Sequence, residues 1–285
     1  MSASDSNGYF IELGEYNLII ARATLGLRPR TIDAVQEVWL GDAPAIDAAL
    51  GKVRPAGSNV KAVALLRLKN EMTFLADSNQ AKSVVADMAK LGVRAVAIRA
   101  NVTDPAAVAK MVEQSKAEFG RVDILVNDAA FNKTIAYSDL DGMTHELWDH
   151  IMKTNLTGTF NCIKAVAPLM KAQGQGRIVN ISSGAGVAPR GSSIAYAVSK
   201  AGMIHLTKCM AVALAPAVTV NCVAPGFMEG TRATANRPTE YQATVADMTL
   251  LRHVVSKDDV AEQLVTFCRS DSMTGQTVVM DCGRF

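Results

Sequence analysis

The apolar positions follow two different patterns along the chain, and the boundary lies near residue 80. Beyond it, helical spacing alternates with short apolar runs. Residues 79–91 carry apolar side chains at helical spacing and stop before Gly92, which predicts a helix with a glycine C-cap. Residues 94–100 then read as a short buried strand. This alternation is typical of βαβ units and a parallel sheet.

The same alternation continues to the end of the sequence. Asp104 and Pro105 predict a helix start, because aspartate is a good N-cap and proline suits the first helical position, and Gly120 predicts its end. Further strands are predicted at 122–126, 177–181, 218–223 and 276–281, and further helices at about 144–172, 194–214 and 257–269. Together they predict an α/β fold: a doubly wound, mostly parallel, Rossmann-like sheet in a single domain.

The N-terminal part does not follow this alternation. Apolar stretches occur at 17–23, 60–68 and 72–76, with a predicted helix at 31–40. Only Lys69, Asn70 and Glu71 separate the second stretch from the third, which is too short for a parallel crossover. We therefore expect residues 1–59 to be an atypical N-terminal segment, one interpretation being a degenerate first βα unit, and residues 60–285 to be the Rossmann-like domain.

Composition and charge narrow the range of partners. The chain has 285 residues, 49% hydrophobic, with a formal charge of +2 and no run of basic residues, so we expect a globular protein that binds neither nucleic acid nor a membrane. The five cysteines lie at least thirteen positions apart, which favours reduced thiols and a cytoplasmic location. His145 and His150 would point to different helix faces, so no metal site is expected.

Candidate chemistry begins with Tyr196 and Lys200 in the segment YAVSK at the head of a predicted helix. Positions i and i+4 place the phenol and the ammonium on one face. A tyrosine with a pKa of ~10 would need a shift of about three units to act as an acid or base near neutral pH. A nearby positive charge shifts the pKa in that direction. Without further support, an exposed helix face remains the alternative.

Ser182 and Ser183 follow the predicted strand RIVNI and lie thirteen positions before the tyrosine. Ligands bind at the carboxyl edge of a parallel sheet, where a hydroxyl could hold a substrate carbonyl. Taken alone, two serines in this position would only indicate a turn.

The segments IVNISSGAG, AYAVSK, NCVAPG and TGQTVVMDCG, in this order and spacing, resemble the short-chain dehydrogenase/reductase family over residues 80–285. The resemblance implies that Tyr196 is the general acid/base and that Lys200 binds the nicotinamide ribose and lowers the tyrosine pKa. It further implies that Ser183 orients the substrate oxygen and that Asn155 holds a water in a proton relay. The alternative for Asn155 is a buried amide bonded to backbone.

The resemblance also implies an NADP or NAD cofactor, with altered contacts. Asn127 opens NDAA where the family has NNAG, and it should still lie beside the adenine ribose. Asn101 and Val102 replace the family's Asp-Val near the adenine. The backbone of Met228, after the PG motif, would face the carboxamide.

The main departure from the family is the absence of its first turn, TGxxxGxG, whose glycines bring backbone close to the pyrophosphate. Residues 24–30, TLGLRPR, are a possible substitute between a predicted strand and a predicted helix. An unrelated extension or a misassembled coding region is the alternative. Asp77 or Asn79 would lie by the adenosine 2′ position.

We expect an oxidoreductase that moves hydride between nicotinamide and a small carbonyl or alcohol substrate. The missing glycine turn keeps open an isomerase, lyase or cyclase on the same scaffold, or a non-catalytic relative. Residues 227–242, with Arg232 and Arg237, should form the substrate lid, and residues 131–133 the opposite wall. The resemblance suggests a homodimer or homotetramer through the helices of Asn155 and Tyr196. Four apolar residues on those helices could serve an interface or the core: Phe160, Ile163, Met203 and Ile204.

Overall fold

The computed structural model describes residues 95–284 with short gaps around 229–238, and shorter stretches before them. Before residue 95 it describes the backbone of four strands, β1 (Ser6–Leu13), β2 (Asn17–Leu25), β3 (Pro29–Trp39) and β4 (Val60–Lys61), and three helical residues at 85, 86 and 90. The predictions for 72–76, for Asp77 and Asn79, and for most of 79–91 lie outside the described residues.

A four-stranded parallel sheet forms the centre of the described C-terminal part. Its strands are β5 (Ile124–Asn127), β6 (Gly176–Ile181), β7 (Val218–Pro225) and β8 (Thr277–Met280), side by side in chain order. Asn127 pairs with Asn180, and Asn180 pairs with Cys222, so the strands end close to one another at one edge. The predicted mostly parallel α/β fold is confirmed.

Consecutive strand residues point to opposite sides of the sheet, so its apolar strands need cover on both faces, and helices provide it. Leu125 and Ile178 face one core, which the helices α1 (Pro105–Phe119), α3 (Gly158–Gln173) and α4 (Ile194–Leu214) complete. Ile124 and Val179 face a second core, completed by α6 (Lys257–Arg269). Fully buried side chains in both cores, such as Met170 and Phe267, fix the sheet between its helices.

Helix ends follow the caps that the sequence predicts. The side chain of Asp104 accepts a hydrogen bond from the Ala106 amide, and Gly120 ends α1 in the left-handed region at φ 81°. Both α4 and α6 have the predicted bounds. The short helix α5 (Thr239–Asp247) begins in the predicted lid, continues beyond it, and was not expected as a helix.

The long helix expected at 144–172 is interrupted. It consists of α2 (His145–Met152), one π-helical turn (Lys153–Thr157) and α3. Asn155 lies in this turn, where the wider ring shifts its side chain relative to a regular helix. Single π-helical turns within α-helices are frequently found at functional sites.

The N-terminal strands form a separate sheet in the order β3-β2-β1-β4, in which β2 is antiparallel to both β1 and β3. The predicted helix at 31–40 is wrong, since these residues belong to β3. Its β-branched content, with Thr31, Ile32 and Val35, favours a strand once β2 is available as a partner. The helix expected after the substitute phosphate turn at 24–30 is absent, because β3 begins at Pro29 and pairs antiparallel with β2.

The strand expected at 94–100 is only partly present. Residues 95–99 are not in a ladder and Ala100 forms a single bridge. Extended chain becomes a strand only when a neighbour supplies hydrogen bonds. Within the described part of the chain, no helix combines the length and apolar character that crossing a bilayer requires.

Candidate active site

Lys200 is fixed at the carboxyl end of β6. It lies one turn into α4, its side chain is 2% exposed, and its Nζ donates a hydrogen bond of 2.7 Å to the carbonyl of Ile181. The backbone of the same residue is anchored as well, because Ser182 Oγ donates to the Lys200 carbonyl at 2.7 Å. The sheet edge and α4 are therefore joined at this residue from both sides.

The two serines after β6 have different functions. Ser182 is buried and holds α4, as described above. Ser183 is the N-cap of the 3-10 turn Gly184–Gly186, accepts from the Ala185 amide at 3.2 Å, and lies close enough to the phenol of Tyr196 to act on the pKa of that phenol. The structure therefore brings Tyr196, Lys200 and Ser183 together, with the ammonium 5.7 Å from the centre of the tyrosine ring.

The pKa of Tyr196 is raised, mainly by burial, which disfavours the phenolate. The hydrogen bond from Ser183 opposes this shift, and the carboxylate of Asp128 adds to it. The resemblance implies a tyrosine pKa lowered by Lys200, whereas the net shift of the Tyr196 pKa is upward because burial dominates it. The ammonium is itself desolvated and bonded to the Ile181 carbonyl, so burial of the phenol outweighs it.

Burial lowers the pKa of Lys200 to about 8, and Asp128 opposes this shift. Asp128 follows β5 directly, so it lies at the same sheet edge as Ile181 and the lysine. It is an exposed side chain and occupies the second position of NDAA, one of the departures from the family pattern. A carboxylate next to this pair stabilises the ammonium and destabilises the phenolate.

The side chain of Asn155 is hydrogen-bonded to the protein by both its oxygen and its nitrogen. Its Oδ1 accepts from the Phe131 amide at 2.7 Å, and its Nδ2 donates to the Phe131 carbonyl at 3.0 Å and to Ser199 Oγ at 2.9 Å. Ser199 in turn donates to the Tyr196 carbonyl. Both amide protons are therefore used, which matches the buried-amide alternative. Asn155 joins the loop after β5 to the helix that carries Tyr196.

Asn127 belongs to a buried polar network between strands and helix. It donates to Asn180 Oδ1 at 2.8 Å, Asn180 donates to Thr207 Oγ1 at 2.9 Å, and Thr207 donates to the Met203 carbonyl. Buried polar side chains require such partners. The network fixes the end of β5 against β6 and α4.

The other expected cofactor contacts lie at separate strand ends. The side chain of Asn101 accepts from Thr103 at 2.9 Å within its own turn, and Val102 is 2% exposed in the core. The Met228 carbonyl accepts from Thr234 Oγ1 at 2.6 Å, and Met228 bridges to Val255. These contacts hold local loops and do not join these three residues to Tyr196.

The donor set fits the nicotinamide half of a dinucleotide. An ammonium has three N–H donors, and the structure shows one of those of Lys200 on Ile181, which leaves two that would suit the hydroxyls of a ribose. Tyr196 and Ser183 supply hydroxyls beside it. The residues that would hold the pyrophosphate are not among the described ones.

Parts of both segments expected to wall the site, 131–133 and 227–242, are described. Phe131 packs edge-on against His150 with ring centres 4.5 Å apart, which anchors the loop after β5. On the lid side, Phe227 packs against Tyr241 at 5.6 Å. Arg232 and Arg237 lie outside the described residues.

Two charged residues of the site were not predicted. Asp128 was visible only as a departure within NDAA, without a function. Arg190 pairs with Asp281 at 2.6 Å, and their separation of 91 positions leaves no local signal that could have linked them.

Comparisons with known proteins agree with this geometry. A family model described as enoyl-(acyl carrier protein) reductase, of the short-chain alcohol dehydrogenase type, matches residues 62–284. A 3-oxoacyl-acyl-carrier-protein reductase of Staphylococcus epidermidis is 34% identical over 75% of this chain and 87% of its own length. A ketoacyl reductase of the granaticin polyketide synthase from Streptomyces violaceoruber is 38% identical over 66% of this chain and 76% of its own.

A crystal structure described as a short-chain dehydrogenase/reductase from Burkholderia xenovorans superposes with a TM-score of 0.68 at 25% identity, covering 86% of this chain and 92% of that one. The chain belongs to the short-chain dehydrogenase/reductase family. It is an NAD(P)-dependent oxidoreductase that transfers hydride between nicotinamide and a carbonyl or alcohol carbon. An isomerase, lyase, cyclase or non-catalytic relative is not favoured.

The three hydrogen bonds of Asn155 predict a stability effect. Asn155→Ala leaves both backbone groups of Phe131 and the Ser199 hydroxyl without their partner, so we expect the free energy of unfolding to fall by about 1–3 kcal/mol, measured by urea denaturation. Asn161→Ala is the control, because this neighbour makes one such bond, to the Val102 carbonyl at 2.9 Å. A loss for Asn155→Ala no larger than that of the control would contradict the structural assignment.

Proposed function

We propose that the protein reduces the 3-keto group of an acyl thioester, with Tyr196 as proton donor and Ser183 and Lys200 beside it. The proximity of the Tyr196 phenol and the Ser183 hydroxyl to each other and to the buried Lys200 carries this proposal. The names of two relatives, a 3-oxoacyl-acyl-carrier-protein reductase and a ketoacyl reductase, support the substrate class.

Bound NAD(P)H supplies the hydride to the carbonyl carbon. Tyr196 Oη donates its proton to the carbonyl oxygen, and Ser183 Oγ holds the same oxygen by a hydrogen bond. The raised pKa of Tyr196 keeps the phenol protonated near neutral pH, which suits an acid in the reductive direction. The Lys200 ammonium stabilises the phenolate that remains until a proton from solvent replaces the one transferred.

We extend the lid beyond the predicted residues 227–242 to residue 252, because α5 continues it, and the apolar side chains of this extension are consistent with an acyl substrate. Met248, Leu250 and Leu251, directly after α5, are each more than half exposed. Apolar side chains at the rim of a cleft lose unfavourable contact with water when an acyl chain covers them. The same residues offer little to a small polar alcohol.

We also propose a homodimer or homotetramer and a cytoplasmic location. Phe160 on α3 is 40% exposed, and Ile204 on α4 is partly exposed, whereas Ile163 and Met203 are in the core and cannot serve an interface. The five cysteines are free thiols, which is consistent with a reducing compartment.

The N-terminal segment is proposed as a unit apart from the site. Its strands form their own sheet, and the family match begins at residue 62. We place the boundary after Lys61 and not after residue 59, because β4 pairs with β1.

The proposal predicts that the protein binds the cofactor and that removal of the Tyr196 hydroxyl lowers turnover. Titration should raise NADPH or NADH fluorescence, and acetoacetyl-CoA should then oxidise the reduced cofactor, while crotonoyl-CoA should not. Tyr196→Phe should lower kcat by about 10²–10⁴-fold with cofactor affinity nearly unchanged, because only the proton donor is lost.

Tyr241→Phe is the matched control, since it keeps the ring that packs against Phe227 and should leave kcat within a few-fold. No fluorescence change at millimolar cofactor would contradict the redox function. Turnover that survives Tyr196→Phe, or reduction of crotonoyl-CoA alone, would contradict the assigned chemistry.

Asp128 predicts a shift of the pH profile. Reduction needs protonated Tyr196 and is lost as pH rises through the pKa of that phenol. Because Asp128 raises this pKa, Asp128→Asn should move the alkaline limb of kcat/KM for reduction to lower pH. The difference should shrink at high salt, since the carboxylate is exposed.

Asp128→Glu keeps the negative charge and should therefore retain the alkaline limb of the wild-type kcat/KM profile. Asp123→Asn is the control at the opposite end of β5, where the carboxylate pairs with Arg121 at 2.5 Å. An alkaline limb that is the same in Asp128→Asn and in wild type at low salt would show that Asp128 does not act on the phenol.

A further inference from the structure

Arg190 contacts the loops that follow several strands of the sheet. Its Nη2 pairs with Asp281 Oδ2 at 2.6 Å, after β8, and its Nη1 donates to the carbonyl of Arg284. Its own carbonyl accepts from the Tyr137 hydroxyl at 2.8 Å, in the loop after β5. The ion pair is largely buried, with 20% and 15% of the two side chains exposed.

The same arginine packs against the turn that follows Ser183, and the residue after it, Gly191, lies beside the Tyr196 ring. A Cβ built on Gly184, the residue after Ser183, would be 3.1 Å from Arg190 Nη2, so the guanidinium covers this turn closely. The next residue, Gly191, adopts φ 109°, and a Cβ there would be 3.5 Å from the Tyr196 ring and 2.8 Å from Ala185 Cβ. A glycine is needed at this position for both reasons.

On its other side, Arg190 holds the C-terminal tail, which we define as residues 281–284. Asp281 Oδ1 accepts from the amides of Gly283 at 3.1 Å and Arg284 at 3.3 Å, so the carboxylate stabilises the turn that the tail makes. The tail also touches the PG motif after β7, where a Cβ on Gly226 would meet Asp281 at 2.9 Å.

The tail in turn carries the end of the lid. The Leu250 amide donates to the Gly283 carbonyl at 3.2 Å, and the Leu251 amide donates to the Cys282 carbonyl at 3.1 Å. These two bonds attach the segment after α5 to the tail. A continuous set of contacts thus runs from the lid through the tail and Arg190 to the turn of Ser183 and the ring of Tyr196.

We propose that Arg190 is a positioning residue that couples the substrate lid to the catalytic hydroxyls through its ion pair with Asp281. This inference rests on the proposed function of the site. Arginine is required because its planar fork reaches two acceptors in different directions, which the single ammonium of lysine does not reproduce. A largely buried ion pair adds little net stability once desolvation is included, so its value here is geometric.

The kinetic test compares Arg190→Gln, Arg190→Lys and Asp281→Asn with Arg177→Gln. Each of the first three should lower kcat/KM for acetoacetyl-CoA roughly tenfold to a hundredfold through misplacement of the lid and hydroxyls, with NADPH affinity within about twofold. The double variant Arg190→Gln/Asp281→Asn should show a loss of kcat/KM no larger than that of the worse single variant, because both substitutions remove the same ion pair.

Arg177→Gln is the matched control. Arg177 makes an ion pair of the same length with Asp271, 2.6 Å, at the amino end of β6 and away from the site. Its loss should lower stability without changing kcat/KM. An equal kinetic loss in Arg177→Gln, or wild-type kcat/KM in Arg190→Gln, would overturn the proposal.

Hydrogen exchange tests the coupling without any substrate. Arg190→Gln should increase exchange in the peptides that cover 281–284 and 248–252, while Arg177→Gln should leave both unchanged. A lid with wild-type exchange in Arg190→Gln would overturn the coupling. If the wild-type protein turned over no thioester, the function would fail, and the coupling would still be judged by exchange alone.

Discussion

The site depends on the burial of one cation at the end of a strand. Lys200 donates to the Ile181 carbonyl, and Ser182 donates back to the lysine carbonyl, so α4 cannot slide along the sheet without breaking both bonds. A buried ammonium is unfavourable without such a partner. This constraint sets the position of Tyr196 one turn earlier, and with it the position of Ser183.

The remaining loops of the site are held by polar contacts of the same kind, each between segments far apart in sequence. Asn155 holds the loop of Phe131, Asn127 and Asn180 join β5 to α4, and Arg190 holds the C-terminal tail. Parallel strands that end at one edge bring these loops together. The reacting groups lie close together, but the residues that hold them in position come from the loops after all four strands.

Local signals were sufficient for most of the fold and for the central residues. The caps of α1, the bounds of α4 and α6, and the meeting of Tyr196, Lys200 and Ser183 followed from spacing and from the family resemblance. Sequence reasoning failed where strand pairing decides the structure. The helix predicted at 31–40 is a strand because it pairs with β2. The upward net shift of the Tyr196 pKa could not be predicted either, because burial is a property of the assembled fold. Arg190 and Asp281 could not be paired, since only the fold brings them together.

The central claim is tested most directly by the titration of Lys200. The 13Cε resonance of this residue, assigned by its absence in Lys200→Arg, reports the ionisation of the buried ammonium without any substrate. A midpoint of about 8 is expected from its burial beside the Ile181 carbonyl. A midpoint near the ordinary lysine value of ~10.4 would mean that the side chain is solvated and that the arrangement of the site is different.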